Sequence, residues 1–414
     1  MYYIRLAFRN LFRHRGRTLI TALVLAVAVF LFIMMDSMMG GMEEMSYRNI
    51  IDLQAAHLEI GEEDFFEDGM ESPGKYTFQF SETLTAPVKE RDDFRALTPV
   101  LSFGASITGG REEFPVMVRG IDPSSYREVL KVQDYLEKGR FLQEEDERTG
   151  SLVIGRQLAD LLDLEIGSYS TLLFRDSNGA YNTLEGEITG IINSPNPEVN
   201  SGTVFVHRSQ AASALGVGED EITQVIARLS DRDRALTAVS SLADEFGDLS
   251  VRSWKESAGL ITSMSEAQDM ENYTILGMLL LIGALGVINT IILSALERME
   301  EIGMMKALGL KESEIVRVFA LEAGGIGAVG GFLGCLLGVI GVGIFHRVGI
   351  DYSVFMEGGL ENYGIPIVGR IYGAWNINSF VFVFIFGVIV SFLAGVFPAL
   401  WAARKDPVEA IYHR

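Results

Sequence analysis

Four long apolar runs, none containing Lys or Arg, decide what this chain can fold into. They extend from about Leu19 to Met35, Thr274 to Leu296, Val318 to Phe345 and Phe380 to Trp401. About 20 such residues cross the hydrocarbon of a bilayer, and runs of this length are uncommon in soluble cores. Four buried helices of a soluble protein are therefore the weaker alternative. A cleaved signal peptide is the other alternative for the first run. That run exceeds the usual core of about 7–15 residues, and the following Asp36-Ser37-Met38-Met39 offers no small-x-small cleavage site.

Between the first and second runs lies a polar stretch of about 230 residues, enough for one large or two small domains. The division explains an otherwise odd composition. A mean hydropathy of +0.24 coexists with 21% charged residues. The net charge of −21 excludes free nucleic acid as a partner. Residues 41–272 hold 20 basic and 43 acidic side chains, so they carry about −23 and the rest of the chain about +2. This acidity reads first as a solvated face and second as a docking surface for a basic partner.

Basic residues in the short flanks set the expected orientation. Arg5, Arg9, Arg13, Arg15 and Arg17 precede the first run; Arg298, Lys306, Lys311 and Arg317 lie between the second and third; Arg404, Lys405 and Arg414 follow the fourth. The remaining loop, His346 to Asn376, holds only Arg347 and Arg370. Both termini are expected in the cytoplasm and the large domain outside it. Within the first thirteen residues Ile4, Ala7, Phe8, Leu11 and Phe12 share one helical face, while Arg5, Arg9 and Arg13 share another. This pattern predicts an interfacial helix whose arginines reach anionic head groups.

The large domain alternates strand and helix signals. Strands are expected at Ala56–Ile60, Tyr76–Phe80, Phe114–Ile121, Leu152–Ile154, Tyr169–Phe174, Gly186–Ile192, Thr203–Val206 and Ile222–Leu229. Helices are expected at Arg156–Asp163 and after Ser230, where Leu236, Val239, Leu242 and Phe246 form a stripe that stops at Gly247. The reading is α+β, in two subdomains, with Ser194-Pro195-Asn196-Pro197 as a turn. Met38–Ile51 and Trp254–Tyr273 lack proline, and Leu260, Ile261, Met264 and Ala267 keep helical spacing. The first two spans are thus expected to continue as helices and pair into a stalk.

Between the second and third spans, Glu297 to Leu310 mixes charges of both signs with good helix formers. It predicts a helix that projects past the membrane and breaks at Gly309. Exposed Met304, Met305 and Leu308 at its end suit a groove on a partner. Glu322 lies about one turn inside the third run, where a carboxylate either has a function or a partner, or snorkels to the interface. The glycines that follow, Gly324, Gly325, Gly327, Gly330, Gly331, Gly334, Gly338 and Gly341, include the pairs Gly327/Gly331 and Gly334/Gly338, which permit close helix packing.

A phosphate-binding GxxxxGK[ST] loop, a GxSxG elbow and an HExxH motif are all missing. With a single cysteine, Cys335, and five scattered histidines, neither a Cys cluster nor a zinc enzyme has support. Any work this chain performs must draw energy from another subunit.

Those residues resemble one family, the FtsX-like or MacB-type permeases of ABC transporters. The similarity rests on Glu297-Arg298, Glu301-Ile302-Gly303 and Lys306-Ala307-Leu308-Gly309, then Glu322-Ala323 opening a glycine-rich span. It continues in Phe397-Pro398-Ala399, Ala402-Ala403-Arg404 and Asp406-Pro407-Val408-Glu409-Ala410. Ala56–Ile60, Val118–Pro123, Gly139-Arg140 and Ile154–Ala159 look like lipoprotein-releasing (LolC/LolE) type permeases.

The resemblance implies a type VII ABC permease architecture. Its parts are an interfacial helix (1–16), spans at 17–40, 273–296, 318–345 and 377–403, and an extracytoplasmic α+β domain at 41–272. A cytoplasmic coupling loop (297–317), an outer loop (346–376) and a cytoplasmic tail (404–414) complete it. It further implies a multi-pass chain of the bacterial cytoplasmic membrane, non-catalytic, with no cofactor of its own, ATP and Mg being held by two copies of a partner ATPase. A second permease chain, identical or paralogous, a lipoprotein cargo and a periplasmic chaperone are the other implied partners. Glu297, Arg298, Glu301, Ile302, Gly303, Lys306, Ala307, Leu308 and Gly309 would couple to the ATPase. Glu322, Gly327, Gly331, Gly334 and Gly338 would pack the bundle, and Arg5, Arg9 and Arg13 would hold the membrane surface. Activation of an external cell-wall enzyme, or export of another hydrophobic or peptide cargo, is the alternative function.

Overall fold

The computed structural model describes residues 15–68, 74–109, 113–243, 245–307, 309–351 and 370–404. Arg5, Arg9, Arg13, Leu308 and the tail beyond Arg404 lie outside the described residues. Among the described residues, four helical stretches are long and apolar enough to cross a membrane: Gly16–Ala55, Met270–Glu297, Glu312–Val348 and Ile377–Ala403.

The first helix, Arg15–Ile50, has 36 residues. At 1.5 Å per residue it is about 54 Å long, against ~30 Å of hydrocarbon. The helix that holds the second span, Gly259–Glu297, has 39 residues. Both outrun the bilayer core, but the second begins at Gly259 and not at the expected Trp254, because Ala258 leaves the helical conformation and sets Trp254–Ser257 apart as a short helix. The side chains of Leu260, Ile261, Met264 and Ala267, expected to line a stalk, lie outside the described ones. Leu25, Val29 and Phe32 of the first span pack with Leu280, Val287 and Ile291 of the second. Phe319 and Ile326 of the third and Val383 and Ala399 of the fourth complete that core. Leu281, Ile282 and Leu285 remain exposed, the side expected to meet lipid or another chain.

Met45–Ser263 form a second compact unit. Ten of its strands make one sheet: β1 (Leu58–Gly61), β2 (Phe94–Thr108), β3 (Glu113–Ile121), β4 (Leu136–Gly139), β5 (Ser151–Gly155), β6 (Tyr169–Arg175), β7 (Tyr181–Ile192), β8 (Thr203–His207), β9 (Gln224–Leu229) and β10 (Ser250–Ser253). Their order is β10-β1-β9-β2-β3-β8-β5-β7-β4, and β6 pairs with both β2 and β7. The ladder β2-β3-β8-β5-β7-β6 thus returns to β2 and closes into a six-stranded ring. Closure leaves those strands without free edges. Alternating residues fill the ring's interior: Leu101 and Phe103, Val116 and Val118, Leu172 and Phe174, Val204 and Val206. Beside the ring, β10, β1, β9 and the first half of β2 carry a second core, where Leu58, Ile60, Val225 and Ala227 meet Ala235, Ala238 and Leu242 of helix Asp233–Leu242.

The strand that joins both halves, β2, is absent from the sequence reading. Its 15 residues include Pro99 and Gly104, which interrupt any period-2 pattern. The expected strand Ile222–Leu229 splits at Thr223. That hydroxyl accepts from the Ser102 amide at 2.8 Å, and β9 resumes at Gln224. The Ser194–Pro197 turn feeds helix Pro197–Gly202, which Asn196 caps by accepting from the Glu198 and Val199 amides.

Candidate functional site

At the Arg17 end of the bundle, charged residues gather where an apolar packing alone would leave none. The second span ends at Glu297, and a new helix runs over Met299–Ala307. Sequence predicts one helix through this point. The structure interrupts it at Arg298, whose amide closes a short turn onto the Ala295 carbonyl at 3.3 Å. The Arg298 guanidinium points inward. Nε meets Glu301 Oε2 at 2.8 Å and Nη1 meets Glu322 Oε2 at 3.5 Å, and Cζ lies 5.7 Å from the centre of the Phe319 ring. Arg298 and Glu322 side chains are each only 8% exposed. Ser294 Oγ donates to the second Glu322 oxygen at 3.3 Å. Glu322 therefore does not snorkel; it is a buried, paired carboxylate.

Other ties surround this cluster. Arg17 of the first span holds Glu297 through two contacts of 3.0 and 3.1 Å. One turn further in, the Thr21 and Thr290 hydroxyls lie 2.6 Å apart. Lys306 Nζ donates to the Ala403 carbonyl at 2.8 Å, a cation on the C-terminal end of the fourth helix. These pairs join residues 280, 269 and 97 positions apart, so nothing in a single sequence announces them.

Helix Met299–Ala307 thus has two faces. Met299, Ile302 and Gly303 are buried against the bundle, while Glu300, Met304 and Ala307 are exposed in one row. Met305 packs partly against the bundle. At the far end Gly309 adopts φ +93°, a conformation open to glycine, and its amide bonds to the Lys306 carbonyl at 2.9 Å. Of the proposed coupling residues, Arg298, Ile302, Gly303 and Lys306 turn inward. Glu301 is half-exposed, Ala307 and Gly309 are outward, and Glu297 is held by Arg17. Glu300 is the outward neighbour that the sequence reading did not single out.

The glycine-rich third helix lies between two neighbours. A Cβ on Gly330, Gly334 or Gly338 would sit 2.7 Å from the Ala22 carbonyl oxygen, 2.6 Å from Val29 Cβ and 2.8 Å from Ile33 Cδ1, all in the first span. A Cβ on Gly327 or Gly331 would sit 2.6 Å from Ser391 Cβ and 3.0 Å from Phe384 Cδ2, both in the fourth. The pairs Gly327/Gly331 and Gly334/Gly338 therefore serve opposite faces of one helix.

In the large domain, polar residues collect where the first helix ends and the second begins. After Ile50 the chain makes one π-helical turn, Ile51–Ala55, before β1. Glu59 of β1 is buried and accepts from Ser257 Oγ, two residues before the long helix at Gly259. Burial raises its pKa to about 7; the Ser257 hydroxyl and Arg119 oppose that rise, and Glu198 adds to it. His57 behaves in the opposite sense. Burial and the charge of Arg228 lower it to about 4. A neutral ring fits its contacts, since the Leu229 amide donates to Nδ1 at 3.1 Å. Trp254 stands edge-on to Tyr47 at 4.9 Å and donates from Nε1 to the Arg232 carbonyl.

Four spans, one large domain after the first of them, and a charged helix tied beneath the bundle define a multi-pass membrane permease. Residues 18–245 match the MacB-like periplasmic core domain and residues 273–407 the FtsX-like permease C-terminal domain. The chain belongs to this family of ABC transporter permeases, proteins of the inner membrane. It is 24% identical over 407 residues to the lipoprotein-releasing system transmembrane protein LolC of Neisseria meningitidis, covering 95% of this chain and 93% of that one. It is 24% identical to LolE of Haemophilus influenzae, over 81% of each. It is also 24% identical to the macrolide export ATP-binding/permease protein MacB of Shewanella sp., covering 99% of this chain and 60% of MacB.

Proposed function

We propose that this chain is the non-catalytic permease subunit of an ABC transporter and that it passes ATP-driven movement to its large domain to release lipoproteins from the membrane. The observation that carries the coupling role is the helix Met299–Ala307. Arg298 and Lys306 fasten it to the third and fourth spans of the bundle, while Glu300, Met304 and Ala307 face away. A push on the outward row reaches Glu322 and Ala403 through contacts of 2.8–3.5 Å. The outward row is the surface offered to an ATPase, which holds ATP and Mg; two ATPases serve two permease chains. The excess of Arg and Lys near this helix and at both termini supports a cytoplasmic position for them. Similarity to LolC and LolE along most of their lengths supports the lipoprotein cargo over a macrolide or a peptide.

Two experiments test this. Charge reversal at Glu301 combined with Gly309→Pro, in the chain co-purified with its ATPase, is expected to lower ATPase retention and stimulated hydrolysis. Unchanged binding and hydrolysis would remove the coupling role. Site-specific photocrosslinking across the large domain is expected to recover acylated proteins. Recovery of a wall hydrolase and no acylated protein would replace release by enzyme activation.

A further inference from the structure

The first helix does not simply run into the domain. It ends in a π-turn, Ile51–Ala55, whose backbone carbonyls have lost their helical partners and lie among buried polar groups. Side chains and backbone from distant strands take those places. Arg228 of β9 donates to the Ile51 carbonyl at 3.2 Å and to Asp52 Oδ1 at 2.9 Å, while its Nε bonds the Val129 carbonyl. The Lys131 amide donates to the Asp52 carbonyl at 2.7 Å and its ammonium to Asp52 Oδ2 at 2.9 Å. Arg119 of β3, buried, donates to the Gln54 carbonyl at 3.1 Å. Directly after the turn, Ala56 has φ +47° and ψ −133°, a backbone region that is essentially glycine's. Strain of that kind persists where the surroundings fix the chain on both sides. A common helix terminus is capped by the amides of the next one or two residues of its own chain. This one is gripped from β3, from β9 and from the segment after Val129.

We propose that Arg228, Asp52 and Arg119 form a rigid joint through which movement of the first span reaches the domain's sheet. This proposal rests on the motion-transmitting reading above. These are positioning residues: they touch neither cargo nor nucleotide. Without the joint the helix still enters the domain, but its displacement is absorbed in the π-turn. β9 and β3 then no longer follow it.

The test uses the full chain in complex with its ATPase, in a Cys335→Ser background. Spin labels at Leu19 and Lys138 report displacement of the domain against the bundle, and labels at Leu19 and Ile377 report movement within the bundle. Distances are compared without nucleotide and with ATP plus vanadate. In the parent chain both pairs are expected to change. In Arg228→Met the bundle pair is expected to keep its change and the Lys138 pair to lose it, with Arg228→Lys between the two. Asp52→Asn, which removes only the carboxylate that Arg228 and Lys131 hold, carries the same expectation should Arg228→Met not fold. Equal Lys138 changes in parent and variants overturn the joint and leave transmission standing. No Lys138 change in the parent chain overturns transmission, and the joint with it.

Discussion

Glu59 turns the buried polar cluster of the domain into a measurable quantity. In the unfolded chain its carboxyl loses a proton near the ordinary 4.5; in the folded domain burial moves that to about 7. Between those values the folded state binds more protons than the unfolded one. Stability therefore falls as pH rises through the window, by ~1.4 kcal/mol per pH unit and by ~3 kcal/mol in total once pH exceeds 7. Glu59→Gln keeps the shape and a hydrogen bond to Ser257 but removes the charge. Near pH 5, where Glu59 is protonated in the folded domain, the variant is expected to gain less than about 1 kcal/mol over the parent. At pH 8.5 the variant is expected to be more stable by up to about 3 kcal/mol. Trp254, buried in the domain, reports unfolding in urea when Trp375 and Trp401 are replaced by Phe. His57 titrates in the opposite sense, its folded pKa of about 4 making the domain lose stability as pH falls below its ordinary 6.5. Both proteins carry that term, so their difference is free of it. A stability difference that is the same at pH 5 and pH 8.5 would refute the burial argument.

The bundle makes two further predictions. Gly334→Ala must push a Cβ against the first span's Val29 and is expected to cost about 1–3 kcal/mol, while Gly324→Ala meets only the Phe392 ring at 3.4 Å and is expected to be tolerated. Thermal inactivation of the solubilised protein separates the two. Glu322→Ala leaves the Arg298 charge buried without its inner partner, a loss of ~3 kcal/mol, whereas Arg298→Met with Glu322→Leu is expected to regain most of it. A double variant no more stable than Glu322→Ala would show that the pair is worth more than an apolar replacement.

The spans were legible because hydropathy over about 20 residues is a strong, local signal. The glycines of the third helix were legible as packing residues, though not as two faces, since the partner of each depends on which helix lies beside it. Strand β2 was missed because Pro99, which pairs with Val225 of β9, and Gly104, opposite Met117 of β3, break the alternation that marks a strand in sequence. Glu59 sits in an ordinary strand sequence, and only the sheet and the Ser257 helix around it make it unusual. Arg298 and Glu322 were each visible, yet their pairing across 24 residues required the third helix to turn back beside the second.

The strand that follows the first helix and the strand that precedes the second are neighbours. β1 and β10 pair antiparallel, Leu58 opposite Ser253 and Gly61 opposite Ser250. Some 190 residues are thus inserted between two points one strand spacing apart, about 5 Å. The size of the insertion and the spacing of its ends are consequently independent. Loops can lengthen, or the whole ring be exchanged for another, at no cost to the helices on either side, provided the two-strand root is kept. In such an architecture cargo specificity can diverge while the membrane-embedded half stays the same.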